Sequence, residues 1–135
     1  MKRKKRENGQ SAVEFALVLP ILLLILCGII DFGWLFYNQL ALDNTCREGA
    51  RFAVVNTGED NSNALIVNKI RKTIPGSLKD DLDIDIIYSK PLEPLTGDVT
   101  IELTAEMDVL TPVLGVFNSG QTKTLTASVT MKVES

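Results

Sequence analysis

The chain has 135 residues, 45% of them hydrophobic, two cysteines and no histidine, at a formal net charge of −3, which is room for one modest domain and an anchor. That charge is the difference between two unlike parts: residues 1 to 9 hold five basic side chains against Glu7, whereas residues 10 to 135 hold 9 basic and 16 acidic ones, a net −7. An acidic body excludes a nucleic-acid partner, which requires a basic footprint on the phosphates, and the absence of histidine removes histidine-dependent zinc sites and Cys-His nucleophile pairs.

The basic leader KRKKRENG runs into an apolar segment, and from Phe15 to Ile30 there are 16 residues without a charge. Continued past Asp31 to Phe32, Trp34, Leu35, Phe36 and Tyr37, the segment is long enough to cross a bilayer, with Trp34 and Tyr37 spaced as interfacial anchors in contact with membrane lipid. Lysines and arginines before it place the N-terminus in the cytoplasm and the rest outside. A cleaved secretory signal would have a purer apolar middle and a small-x-small cut site soon after it. A plain signal anchor stays open, because Glu14 lies near enough to the edge to reach water or headgroups. Pro20 lacks an amide hydrogen, frees the carbonyl of Ala16 and is expected to bend the helix.

Three stretches, AVEFALVLP, IIDFG and REGARFA, together with a glycine followed by four residues and then Glu-Phe, carry a resemblance. Over residues 8 to 56 the chain resembles TadE-like minor pilins (pseudopilins) of the tight-adherence, or Flp, type IVb pilus. The resemblance implies cleavage between Gly9 and Gln10 by a membrane prepilin peptidase, with Glu14 and Phe15 as the processing and assembly motif. It implies further that Glu14 attracts the new ammonium group of a neighbouring subunit as helices enter the bundle. The product would begin with Gln10, where many type IV pilins begin with an N-methylated phenylalanine. The implied partners are the prepilin peptidase, other major and minor pilins, the inner-membrane platform protein and the assembly ATPase, and the implied outcome is surface attachment or secretion.

Beyond Tyr37 the pattern stays helical. Leu35, Leu42, Cys46, Gly49, Ala50 and Ala53 form one stripe suited to packing on a sheet. Asp43 with Arg47 and Glu48 with Arg51 are spaced for ion pairs on neighbouring faces. A helix from Ser11 to Asn56 would be about 69 Å long, and its Cys27 and Cys46 would lie about 28 Å apart, beyond disulfide reach. Both cysteines read as small apolar packing residues.

The turn formers TGEDNSN (57 to 63) end this helix. A shorter helix follows, capped by Asn61 or Ser62, with Ile66, Val67, Ile70 and Ile74 inside and Pro75-Gly76 at its end. Thereafter the period is two: LDIDIIYS (82 to 89), DVTIELTAEMDV (98 to 109) and TKTLTASVTMKV (122 to 133) each alternate apolar with polar residues, as half-buried antiparallel strands do. Asp81, Asp83 and Asp85 imitate the start of a calcium loop, but Ile86 and Leu92 stand where glycine and glutamate are needed. The connection TPVLGVFNSGQ (111 to 121) is oily and either folds back on the core or offers Val113, Leu114, Val116 and Phe117 to a partner.

The expected fold class is α+β: a long N-terminal transmembrane helix, a short helix, and a small antiparallel sheet packed on the upper half of the long helix. The expected organisation is a cleaved basic leader (1–9), a transmembrane and spine helix (10–56) and an extracytoplasmic head (57–135). No convergent acid, base and nucleophile appear, so the expectation is a single-pass assembly component without cofactor, metal or enzymatic activity. The alternative is a signal-anchored extracytoplasmic binding domain that keeps its N-terminus and never polymerises.

Overall fold

The computed structural model describes residues 4–111, 115 and 120–133, with side chains from residue 9 onward. Val113, Leu114, Val116 and Phe117 of the oily connection lie outside the described residues, as do residues 1–3 of the leader.

Helix α1 is a single element, Lys4–Asn56, about 80 Å long at 1.5 Å per residue. Its two halves have different surroundings because their sequences differ in period. From Val13 to Ile30 apolar side chains cover the whole circumference and stand bare: Phe15, Val18, Ile21, Leu23 and Leu24, which are spread around the helix, are all exposed. A helix that is apolar all round belongs in lipid or inside a bundle, and α1 is long and apolar enough to cross a membrane. Helical structure continues on both sides of Pro20.

From Asp31 upward, apart from the exposed Phe32, Phe36, Tyr37 and Leu40, the apolar residues narrow to a stripe. Leu42, Cys46, Ala50 and Ala53 are fully buried, as the spacing predicts, and Leu35 packs half-buried against the same core. They cover the oily face of a three-stranded antiparallel sheet in the order β1 (Leu82–Tyr88), β2 (Asp98–Asp108), β3 (Thr122–Lys132). Ile101, at the centre of β2, pairs with Ile86 on one side and Val129 on the other. Val99, Ile101, Leu103, Ala105 and Met107 point into the core, while Thr100, Glu102, Thr104 and Glu106 point away. On the outer face the hydroxyls of Thr100 and Thr130 meet at 2.8 Å across the strands, the kind of cross-strand pair that stabilises a sheet.

Helix α2, Ser62–Thr73, packs beside α1 through Ile66 and Ile70. Asn61 occupies its cap position in the left-handed region, at φ 64°, without a side-chain cap bond, so Asn61 serves by tolerating that backbone rather than by the expected hydrogen bond. Pro75 holds Ile74 extended and ends the helix. Two 3-10 turns, Gly76–Leu78 and Pro94–Thr96, were not legible in the pattern; the first inserts Leu78, fully buried, against β2.

The ion pairs expected along α1 are absent among the described residues. Glu48 instead meets Lys69 of α2 at 2.7 Å, and Asp43 accepts from Gln39 at 3.1 Å. Both partners are partly exposed, so the α1–α2 pair contributes little to stability. The closer constraint between these helices is Gly49, where an added Cβ would lie 2.8 and 2.9 Å from the Ile70 side chain. Gly49→Val should therefore destabilise the head by about 1–3 kcal/mol through overpacking, whereas Gly33→Ala, which meets open space, should leave it unchanged. Thermal unfolding of the full chain in detergent, followed by fluorescence of the sole tryptophan, Trp34, measures both; equal melting of the two variants would show that the helices are not held this closely.

Candidate functional site

The residues singled out in the sequence lie along α1 in two groups. Gly9, Gln10, Glu14, Phe15 and Pro20 belong to the bare half, and Trp34 and Tyr37 to the turns where the head begins.

In the lower group the Gln10 side-chain amide donates to the Glu14 carboxylate at 3.2 Å, one helical turn away, and both residues are exposed. Phe15 is exposed beside them. Gly9 lies inside the helix with helical, not left-handed, backbone, and an added Cβ would meet nothing within 4 Å. Glycine at such a position costs about 1 kcal/mol relative to alanine. Neither packing nor backbone conformation asks for it in the folded chain. The Gly9–Gln10 bond is helical, not extended, so a protease would have to unwind this turn, and glycine lowers the cost of doing so.

In the upper group Trp34 and Tyr37 stack with ring centroids 6.0 Å apart and planes at 23°. Tyr37 is exposed, and Trp34 leans on the core of the head. Phe32 and Phe36 form a second stack, at 6.3 Å, beside an apolar cleft between α1 and the start of β3 that Lys123 and Leu125 close. An aromatic collar thus surrounds the helix where the bare segment ends, the position at which such rings favour the membrane–water boundary.

The sequence reading missed the polar groups that join the head to this collar. Asp31, 1% exposed, accepts from the Thr111 backbone N–H at 2.8 Å through one carboxylate oxygen and from the Thr111 hydroxyl through the other. Asn38, also buried, donates to the Trp34 carbonyl at 2.8 Å and accepts from the Ser77 hydroxyl at 2.7 Å. Gln39 donates to the Thr126 carbonyl at 3.0 Å. Higher up, the Cys46 thiol donates to the Ile101 carbonyl at 3.2 Å. Burial pushes that thiol up to about 11, with the Asp43 and Glu102 carboxylates adding to the shift, so it stays protonated and packs as a small hydrophobe. Cys27 is likewise a free thiol. The signal for Asp31 and Asn38 was present: they fall four residues before Leu35 and Leu42, on the stripe that faces the sheet.

Among the described residues no group of histidine, cysteine or carboxylate side chains could hold a metal ion. The lower half of α1 thus presents a bare apolar surface, with one exposed carboxylate low on it and a polar clasp at its top.

Residues 9–51 match the family model of TadE-like proteins. That range ends within α1 and stops short of the sheet. No curated protein and no solved structure gives a significant match.

Truncation of Asp31 would strip two donors of Thr111 of their buried acceptor, at about 1–3 kcal/mol for such a loss. Asp31→Ala should lower the melting transition seen by Trp34 fluorescence, and Asp31→Asn, which keeps one acceptor, should lower it less. If Asp31→Ala melts like the unmodified chain, the clasp does not hold the head.

Proposed function

We propose, with the TadE-like character of residues 9–51 as premise, that this chain is a minor pilin precursor of a tight-adherence pilus. In this reading it is inserted in the cytoplasmic membrane by α1, with the basic leader inside and the α+β head outside, and a prepilin peptidase cuts it between Gly9 and Gln10. The observation that carries the reading is the bare half of α1: a fully apolar surface bearing one exposed carboxylate, Glu14, five residues after a glycine that the fold itself does not require.

The chemistry follows from what the cut creates. Removal of residues 1–9 leaves an ammonium on Gln10 and a new helix N-terminus, whose first amide groups lose their intrahelical partners and carry partial positive charge. A carboxylate deep in lipid costs about 2.5–3.5 kcal/mol on insertion scales. Opposite charges attract far more strongly in a low dielectric than in water. Glu14 of one subunit and the fresh N-terminus of another therefore relieve one another's cost when their helices come into register. Gln10 already gives Glu14 a neutral donor at 3.2 Å within the chain, so the carboxylate is solvated while it waits. Before the cut no N-terminal ammonium exists at Gln10, which makes the proteolysis a switch for assembly. Pro20 removes one hydrogen bond from the helix just above this motif and gives it a place to bend during transfer from bilayer to fibre.

On this reading the partners are the peptidase, other major and minor pilins, and the platform protein and ATPase that drive assembly, and the cellular outcome is attachment or secretion. Coexpression with a prepilin peptidase and mass measurement of the purified product should show loss of residues 1–9. An intact chain, in cells that do process another pilin, overturns the reading and favours an anchored domain that never polymerises. Separately, Glu14→Ala should leave insertion and cleavage intact yet abolish incorporation into the pilus or its base, scored by immunoblot of sheared fibres; normal pili in that variant refute the role of Glu14.

A further inference from the structure

Between α1 and the start of β3 the head carries an apolar cleft of about 280 Å³, with Phe32, Leu35 and Phe36 on one wall and Lys123 and Leu125 on the other. Its upper end is shut, because the Gln39 amide reaches across and donates to the Thr126 carbonyl at 3.0 Å. The two elements rise together from here, since farther along both of them Cys46 meets Ile101, the cross-strand partner of Val129. Phe32 and Lys123 are therefore the lowest members of the two walls, and the cleft opens downward. One turn below Phe32, on the same side of α1, stands Gly28, and about a turn below that Ile25, which is exposed. An added Cβ at Gly28 would meet nothing within 4 Å. The wall of the cleft thus runs without a step onto the bare segment.

Lys123 stands at that opening. It shares its side of β3 with Leu125, and its cross-strand partner is Met107; both of these are buried in the core, so alternation turns Lys123 toward α1 and away from the outer face. The side chain is exposed, and among the described residues it has no ion-pair partner. The carboxylates at this end of the head are turned elsewhere or already engaged. Asp80, Asp81, Glu106 and Asp108 line a separate hollow whose member from β3 is Thr122, and both oxygens of Asp31 are held by Thr111. A lysine so placed lays its methylenes along apolar neighbours and leaves its ammonium free. The cleft has oily walls and one cation at its mouth.

We infer that this cleft is a binding site for an anionic phospholipid of the leaflet next to the head, with the phosphate on Lys123 and one acyl chain lying against Phe32 and Phe36 and passing Gly28 onto the bare segment. Shape, charge and position each select this occupant. A helix, about 10 Å across with its side chains, would rest on a space of this size without entering it, whereas a single hydrocarbon chain fits. The unpaired cation calls for an anion at the end of that chain. The cleft also lies on the turns that carry the aromatic stacks, where the bare segment ends, which is headgroup depth for a chain anchored by that segment. The inference rests on the membrane-anchored part of the function proposed above and is independent of cleavage.

The test uses the full-length chain in phosphatidylcholine vesicles, without any peptidase, doped with a photoreactive lipid that carries a diazirine close to its glycerol: phosphatidylglycerol, which is anionic, or phosphatidylcholine, which has no net charge. After illumination, mass spectrometry of proteolytic fragments locates the label. Both probes should mark the segment from Val13 to Ile30 equally, whereas the fragment holding Lys123 to Thr126 should take about fivefold more label from phosphatidylglycerol, the size of effect expected of one lysine at an anionic headgroup. Lys123→Gln should bring that ratio to one, and Lys123→Arg should keep it. Lys79→Gln, which removes an exposed lysine next to the acidic hollow at the same end of the head but outside the cleft, should leave it unchanged; this control separates a site from general attraction to basic residues, the leader included. With the bare segment labelled, equal labelling of the β3 fragment by both probes, no labelling of it by either (the result if another part of the chain fills the cleft), or a preference that Lys123→Gln preserves or Lys79→Gln removes overturns the inference and leaves the anchored reading standing. A bare segment that neither probe marks overturns both.

Discussion

The sheet of this protein has one apolar face, and the helix that covers most of it is also the helix whose lower half is long and apolar enough to cross a membrane. A single rod must therefore satisfy two environments with one continuous backbone. The sequence meets this by changing the arrangement of apolar residues near residue 31 without interrupting the helix: all round the circumference below, a single stripe above. Everything else in the head is arranged around that stripe. The second helix and the Leu78 turn fill what α1 leaves uncovered, and the strands alternate so that their oily side faces it.

At the boundary between the two environments an apolar contact alone would specify position poorly, because hydrophobic attraction is non-directional. The polar clasp supplies direction. Asp31 and Asn38 are buried on the sheet-facing side, and each takes partners from a different part of the head: Thr111 just beyond β2, and Ser77 in the turn after α2. Buried polar groups of this sort are costly when unpaired and specific when paired. They fix the head's height and rotation on the rod. The aromatic collar of Phe32, Trp34, Phe36 and Tyr37 sits at that same level, so the end of the bare segment and the start of the head coincide.

Most of this architecture was legible in the sequence because it rests on periodicity. The helix end at Asn56, the three strands to within a residue at their ends, and the buried positions Leu42, Cys46, Ala50, Ile66 and Ile70 all follow from apolar spacing. What was not legible depends on partners distant along the chain. Asp31 reads as a charge beyond a membrane segment until Thr111, 80 residues later, is seen to cover it. Glu48 reads as a partner for Arg51 until α2 brings Lys69 within reach. The pairing of Asp85 with Glu102 depends on strand register, which alternation alone does not give. For the candidate site, Gly9, Glu14 and Phe15 were legible as a motif, and the structure adds that Gly9 meets no neighbour and that Gln10 serves Glu14.

The bare lower half of α1 contributes nothing to the core of the head: the side chains packed there begin with Asp31 and Trp34. In the membrane-anchored reading proposed above, drawing that segment, about 27 Å of helix from Val13 to Ile30, out of a bilayer would exchange lipid for whatever replaces it and leave the folded part undisturbed. Extraction and folding would then be thermodynamically separate operations. A machine that pulled on such a stem would work against its transfer energy alone, while the globular end travelled as finished cargo.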